Sequence, residues 1–150
     1  MGNQFSFRDY AIVACGTLIP ELNYLKEDGF LDARKILFTK PGRHECPPEL
    51  ESELVRQIGN AKKYAEKIII VYGGKFCYIN ADDPYRTIDK IIKEQGNGIS
   101  RIKATHCVDM LATGISSQIF TISNWKALQV FWKNLPVTGT RHIPSAHSLL

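Results

Sequence analysis

The amino-acid sequence predicts one three-layer α/β domain, Rossmann-like, with a mostly parallel sheet of four to five strands. Three observations carry that expectation. Short strand-like apolar runs alternate with amphipathic helical segments along the chain, the pattern of βαβ units joined by right-handed crossovers. The run Ile68-Ile69-Ile70-Val71-Tyr72 is apolar at every position, as befits a central strand covered on both faces. The length of 150 residues, 44% of them apolar, falls in the usual range of one domain with its own core.

The elements follow in order. Tyr10 to Ala14 reads as a buried first strand, ended by the turn Cys15-Gly16. Thr17 to Lys26 has helical spacing, and Pro20 fits such a helix only in its first turn, where its missing N–H is not needed. Ala33 to Thr39 is a second strand, closed by Pro41 and Gly42. Pro47-Pro48-Glu49-Leu50 opens the clearest helix, with Leu50, Leu54, Val55, Ile58, Ala61 and Ala65 on one face. The third strand runs through Tyr72 and is bounded by Gly73-Gly74. Asp82-Asp83-Pro84 reads as the capping entry to a helix through Ile88, Ile91 and Ile92, which Gly96-Asn97-Gly98 terminates. Ile99 to Ala104 is a fourth strand with His106-Cys107 after it. Cys107 to Ala112 begins a short helix, Gln118 to Ile122 is a fifth strand, and Trp125 to Leu135 is a final amphipathic helix. The domain is expected to span residues 1–135, and the aperiodic residues 136–150 to form a flexible C-terminal tail.

Composition narrows the function classes. The net charge of +4 is spread among acidic residues and forms no basic stripe, so no nucleic-acid footprint is visible. The start MGNQFSFRDY has no secretory pattern, and no apolar stretch approaches the roughly 20 residues that span a bilayer. A cytoplasmic protein is expected, in which the four cysteines are reduced thiols rather than a disulfide framework.

Those thiols sit where an open parallel sheet binds ligands, beyond the carboxyl ends of its strands. Cys15 ends the first strand, His44 and Cys46 lie in the loop after the second, Cys77 follows the third, and Cys107 follows the fourth beside His106. Thiolate and imidazole suit zinc or another late transition metal, and a site built from separate loops needs no local CxxC spacing. The sequence therefore permits a metal site of three cysteines and one histidine. The plainer reading of any single cysteine, Cys15 included, is a small buried hydrophobe. A nucleophilic thiolate at Cys107 with His106 as base is a competing chemistry, although adjacent loop residues usually point apart. Glu21 and Asp109 follow their rim cysteines at helical distance and could orient a ligand imidazole; as solvated first-turn acids they would instead complement a helix dipole. Gly16, Tyr72 and Gly73 line the same rim and are candidate cofactor contacts. The turn Tyr72-Gly73-Gly74-Lys75 lacks the spacing that cradles a phosphate. Trp125 and Trp132 read as core anchors, and His142 and His147 as polar tail residues.

The ordered stretches Ala14-Cys15-Gly16-Thr17-Leu18 with Glu21, His44 to Pro48, Val71 to Cys77, His106-Cys107 to Gly114, and Phe120 to Trp125 resemble the landmarks of the family called domain of unknown function (DUF) 1638, over roughly residues 10 to 133. The resemblance implies a small α/β protein, often encoded beside corrinoid-dependent methyltransferase systems. It also implies that Cys15, His44, Cys77 and Cys107 match recurring polar positions of the family. This chain departs from the family pattern in having His106 before Cys107, Tyr78 after Cys77 and Asn124 before Trp125, which leaves His44, Cys46 and His106 all available as a fourth ligand.

The expectation for function is a metal-binding protein, with zinc held by Cys15, Cys77 and Cys107 and by His44 or His106. By resemblance, it would act in corrinoid-linked methyl transfer, with corrinoid as a cofactor of the system. The alternative from another class is a non-catalytic accessory or adaptor that binds a methyltransferase or corrinoid protein, its cysteines serving as packing. A small-molecule sensor using the same rim is a third. No nucleic acid and no membrane partner is expected.

Overall fold

A computed structural model describes residues 6–41, 46–74 and 78–102. It contains β1 (Tyr10–Ala14), a 3-10 turn (Gly16–Leu18), α1 (Ile19–Glu27), β2 (Lys35–Phe38), α2 (Pro47–Ala61), β3 (Lys67–Val71), α3 (Ile88–Glu94) and β4 (Ile99–Arg101). The strands form one sheet in the order β2-β1-β3-β4, every pair parallel. This is the three-layer α/β architecture that the alternating pattern predicts. The chain steps one way from β1 to β2, then back across β1 to β3 and onward to β4. Right-handed crossovers thus put α1 on one face and α2 with α3 on the other. In keeping with this, α2 packs over β1 and β2 and touches α3.

Burial explains the apolar runs. Ala11 to Ala14 and Ile68 to Val71 are buried at every position, because β1 and β3 have a strand on each flank and helices on both faces. β2, at the edge of the sheet formed by the described strands, is only half-buried at Ile36, Leu37 and Phe38. On α2, Leu50, Leu54, Ile58 and Ala61 are buried and Val55 packs beside them. The helix ends at Ala61, so Ala65 joins the core from beyond it. Pro20 lies in the first turn of α1, as its ring requires.

One expected boundary is corrected. Helix α3 does not begin at Asp82-Asp83-Pro84; Thr87 caps it, accepting a hydrogen bond from the Lys90 N–H at 3.2 Å. The Asp-Asp-Pro segment instead folds on itself. Asn80 Oδ1 accepts from the N–H groups of Asp82 and Asp83, and the Arg86 N–H closes a turn on the Asp83 carbonyl at 3.0 Å. Pro84 takes the second position of that turn, which its fixed φ favours as much as it favours a helix start. The expected glycine stop holds: Gly96 and Gly98 have φ of 107° and 79°, the left-handed region that glycine enters without strain. β4 is described as far as Ile102, whose N–H continues the ladder to the Ile70 carbonyl. Residues 103–150, with the expected fifth strand, last helix and tail, lie outside the described residues. Among the described residues, no helix is long and apolar enough to cross a membrane.

The turn before α3 also ties two helices together. Arg86 pairs with Glu51 on α2 and, at 2.6 Å, with Glu94 on α3. The Tyr78 hydroxyl donates to Glu51 at 3.0 Å. The Arg86 hydrogen bonds hold the Glu51 carboxyl below its ordinary value, against the opposing pull of burial and with help from Tyr78. A carboxylate with a lowered folded pKa adds stability that is present above its unfolded pKa and lost as pH falls through the folded one. Stability should therefore decline as the pH drops below about 4.5. Glu51→Gln should flatten that acid limb in urea titrations run across this range; an unchanged slope would show that the clamp adds nothing.

Candidate functional site at the strand exits

The strand order fixes where a ligand crevice can open. Connections diverge between β1 and β3, so the switch point lies outside the carboxyl ends of these two strands. Cys15, Gly16 and, in the first turn of α1, Glu21 come from the β1 exit. Tyr72 and Gly73 come from the β3 exit. The structure thus brings these five sequence-predicted residues to one edge.

The ladder continues one step past the assigned strands. Ala14 is in register with Phe38 and Val71, the Thr39 N–H donates to the Ala14 carbonyl at 2.9 Å, and the Cys15 N–H donates to the Val71 carbonyl at 3.2 Å. Thr39, Cys15 and Tyr72 are therefore the next row across three strands, with side chains on one face. The Thr39 and Tyr72 hydroxyls are hydrogen-bonded to each other in the buried interior, so their bridge crosses β1 at the level of Cys15. Cys15 is 1% exposed, and its Sγ accepts a hydrogen bond from the Thr17 hydroxyl at 3.1 Å. The sulfur is thus held by a hydroxyl donor from the turn that follows it.

Two glycines mark close approaches. A Cβ on Gly16 would run into the Thr39 carbonyl oxygen and come within 2.8 Å of Pro41 Cδ and N, so the β2 exit lies directly on the β1 exit. A Cβ on Gly74 would come within 2.7 Å of the Arg101 guanidinium. That guanidinium joins the exits of β3 and β4: Nη1 donates to the Tyr72 carbonyl at 3.1 Å and to the Ile102 carbonyl at 2.8 Å. Nε and Nη2 donate to the two Asp89 oxygens of α3 at 2.6 and 2.9 Å.

Glu21 carries the one buried side-chain polar atom, Oε2, that has no hydrogen-bond partner among the described residues. Buried carboxylate oxygens are nearly always paired, so this oxygen is open to a donor or a cation.

His44, Cys77, His106, Cys107 and Asp109 lie outside the described residues. Among the described residues, no cluster of three or more histidine, cysteine, aspartate or glutamate side chains could hold a metal ion. Cys46, a spare fourth ligand by sequence, is exposed at the N-terminus of α2 and makes no capping hydrogen bond there. Sequence reasoning passed over Thr17, Thr39 and Arg101. None of the three left a clear signal: Arg101 stands in the mixed segment Ile99-Ser100-Arg101-Ile102-Lys103, where nothing but its burial in the folded chain shows that it needs partners.

A family model described as "Protein of unknown function (DUF1638)" matches residues 38–124. The match includes the exits of β2, β3 and β4 and leaves Cys15, Gly16 and Glu21 upstream of it. No curated protein and no solved structure matches the chain.

Proposed function

Since the chain belongs to the DUF1638 family, whose function is unknown, we propose that its role lies at the strand-exit edge, where Cys15, Cys77 and Cys107, with His44 or His106, bind a metal ion. Zinc is the metal this donor set favours. The observation that carries the reading is the position of Cys15: a buried thiol at the switch point, with a hydroxyl donor on its sulfur. The Glu21 oxygen that lacks a partner among the described residues supports it, because a carboxylate at such an edge can accept the second N–H of a ligand imidazole. Gly16, Tyr72, Gly73 and Asp109 would line the space around the ion. A metal held there with one position open would supply Lewis-acid activation of a thiol or of a bound acceptor. That chemistry would be compatible with the corrinoid-linked methyl transfer that the family resemblance implies, with a methyltransferase or corrinoid protein as the proposed partner.

A second reading has its own observation. Cys15 belongs to the hydrophobic core cluster, as a packing thiol in a non-catalytic adaptor would. Metal analysis of the purified chain separates the two. The metal reading expects about one equivalent in the wild type and loss of it in both Cys15→Ser and Cys107→Ser. Less than about a tenth of an equivalent in the wild type, or Cys15→Ser retaining full metal with lowered stability, would favour the adaptor.

A further inference from the structure

We infer that the β2 exit, Thr39 to Pro41, is a cover over the Cys15 thiol and that the hydroxyl bridge from Thr39 to Tyr72 is its latch. The register puts Thr39, Cys15 and Tyr72 in one row on one face, so a bond joining the outer two must pass over the middle one. The cover is seated closely, since nothing larger than hydrogen fits between Gly16 and the backbone of Thr39 and Pro41. A thiol only 1% exposed meets no ligand from solvent until something above it moves.

The two ends of the bridge are not equally held. Tyr72 ends a strand paired on both flanks, and its carbonyl is tied to Arg101. Thr39 ends an edge strand of four half-exposed or exposed residues, paired among the described strands with β1 alone. Among the described residues its further ties are the Thr39 N–H to Ala14 and the Gln57 side chain to the Phe38 carbonyl at 2.8 Å. Thr39 is itself buried, but it ends the half-exposed strand, whereas Tyr72 ends one buried from Ile68 onward; local opening follows the less buried segment, so Thr39 swings and Tyr72 stays. Opening in this sense leaves the β1–β3 pairing intact.

The inference rests on the proposed reading only for its purpose, the entry of a ligand to the Cys15 site; the latch is measured without metal. The experiment is site-resolved alkylation of the full chain with iodoacetamide after a chelator wash, each cysteine peptide being quantified by mass spectrometry. Tyr72→Phe and Thr39→Val each remove one hydroxyl with little change of shape. Either should raise the Cys15 labelling rate about tenfold, in line with the loss of one buried hydrogen bond, while exposed Cys46 labels alike in all proteins. The acceleration should be independent of low urea, as local opening is. Unchanged Cys15 labelling in both variants would overturn the latch. So would an acceleration whose urea dependence equals that of global unfolding. If Tyr72→Phe fails to fold, Thr39→Val alone decides. Absence of metal in the wild type would end the metal reading and leave the labelling result standing.

Discussion

Gly16→Ala should destabilise the fold by about 3 kcal/mol, near the upper end of the usual overpacking range. The added methyl would meet the Thr39 carbonyl oxygen and the ring and nitrogen of Pro41. None of these can rotate aside, so relief comes only by parting the β2 exit from the β1 exit. Parting breaks the Thr39 N–H to Ala14 bond and the Thr39–Tyr72 bridge. The loss would be read as a lowered midpoint in urea unfolding with an unchanged slope. A change smaller than about 0.5 kcal/mol, the usual scale of an innocuous surface substitution, would mean that the two exits separate freely.

Arg101→Ala should cost about 3 to 4 kcal/mol, for a different reason. The side chain is 9% exposed, whereas its partner Asp89 is 59% exposed. Loss of the guanidinium returns Asp89 to water at little cost. The carbonyls of Tyr72 and Ile102 would each lose a hydrogen bond in the interior, and each such loss costs about 1 to 3 kcal/mol. Asp89→Asn should cost distinctly less, because the amide oxygen can keep one of the two bonds. Equal losses in the two variants would place the energy in the ion pair and refute this account. Both measurements are chemical unfolding experiments.

How much was legible in the sequence depended on how local the cause was. β1 and β3 were read within a residue of their ends, because burial on both faces leaves short, unbroken, β-branched apolar runs closed by glycine, too short for a buried helix. The face of α2 was equally plain at Leu50, Leu54 and Ile58. Asp82-Asp83-Pro84 misled because the same three residues satisfy a helix entry and a tight turn. The hydrogen bonds that choose between these come from Asn80, and the cap from Thr87. The edge position of Cys15 and Gly16 was legible, since strand ends are. The Thr39–Tyr72 bridge was not, because it depends on the strand order and register of three segments that the chain visits at different times. Arg101 was not legible at all: it sits among polar neighbours Ser100 and Lys103, its acceptors Asp89 and the Tyr72 carbonyl lie on other elements, and no spacing rule links it to them.

The crossing of the chain over β1 also bears on how the protein is made. β1 gains its second neighbour only from β3, with α1, β2 and α2 strung between them. During synthesis one flank of Ala11 to Ala14 therefore stays unzipped until Lys67–Val71 has left the ribosome. A pairing between segments so distant must first meet the entropy of closing a long loop, which makes it slow. Completion of the sheet's centre, rather than of any helix, is then the step that sets how long the nascent chain carries an adhesive backbone edge.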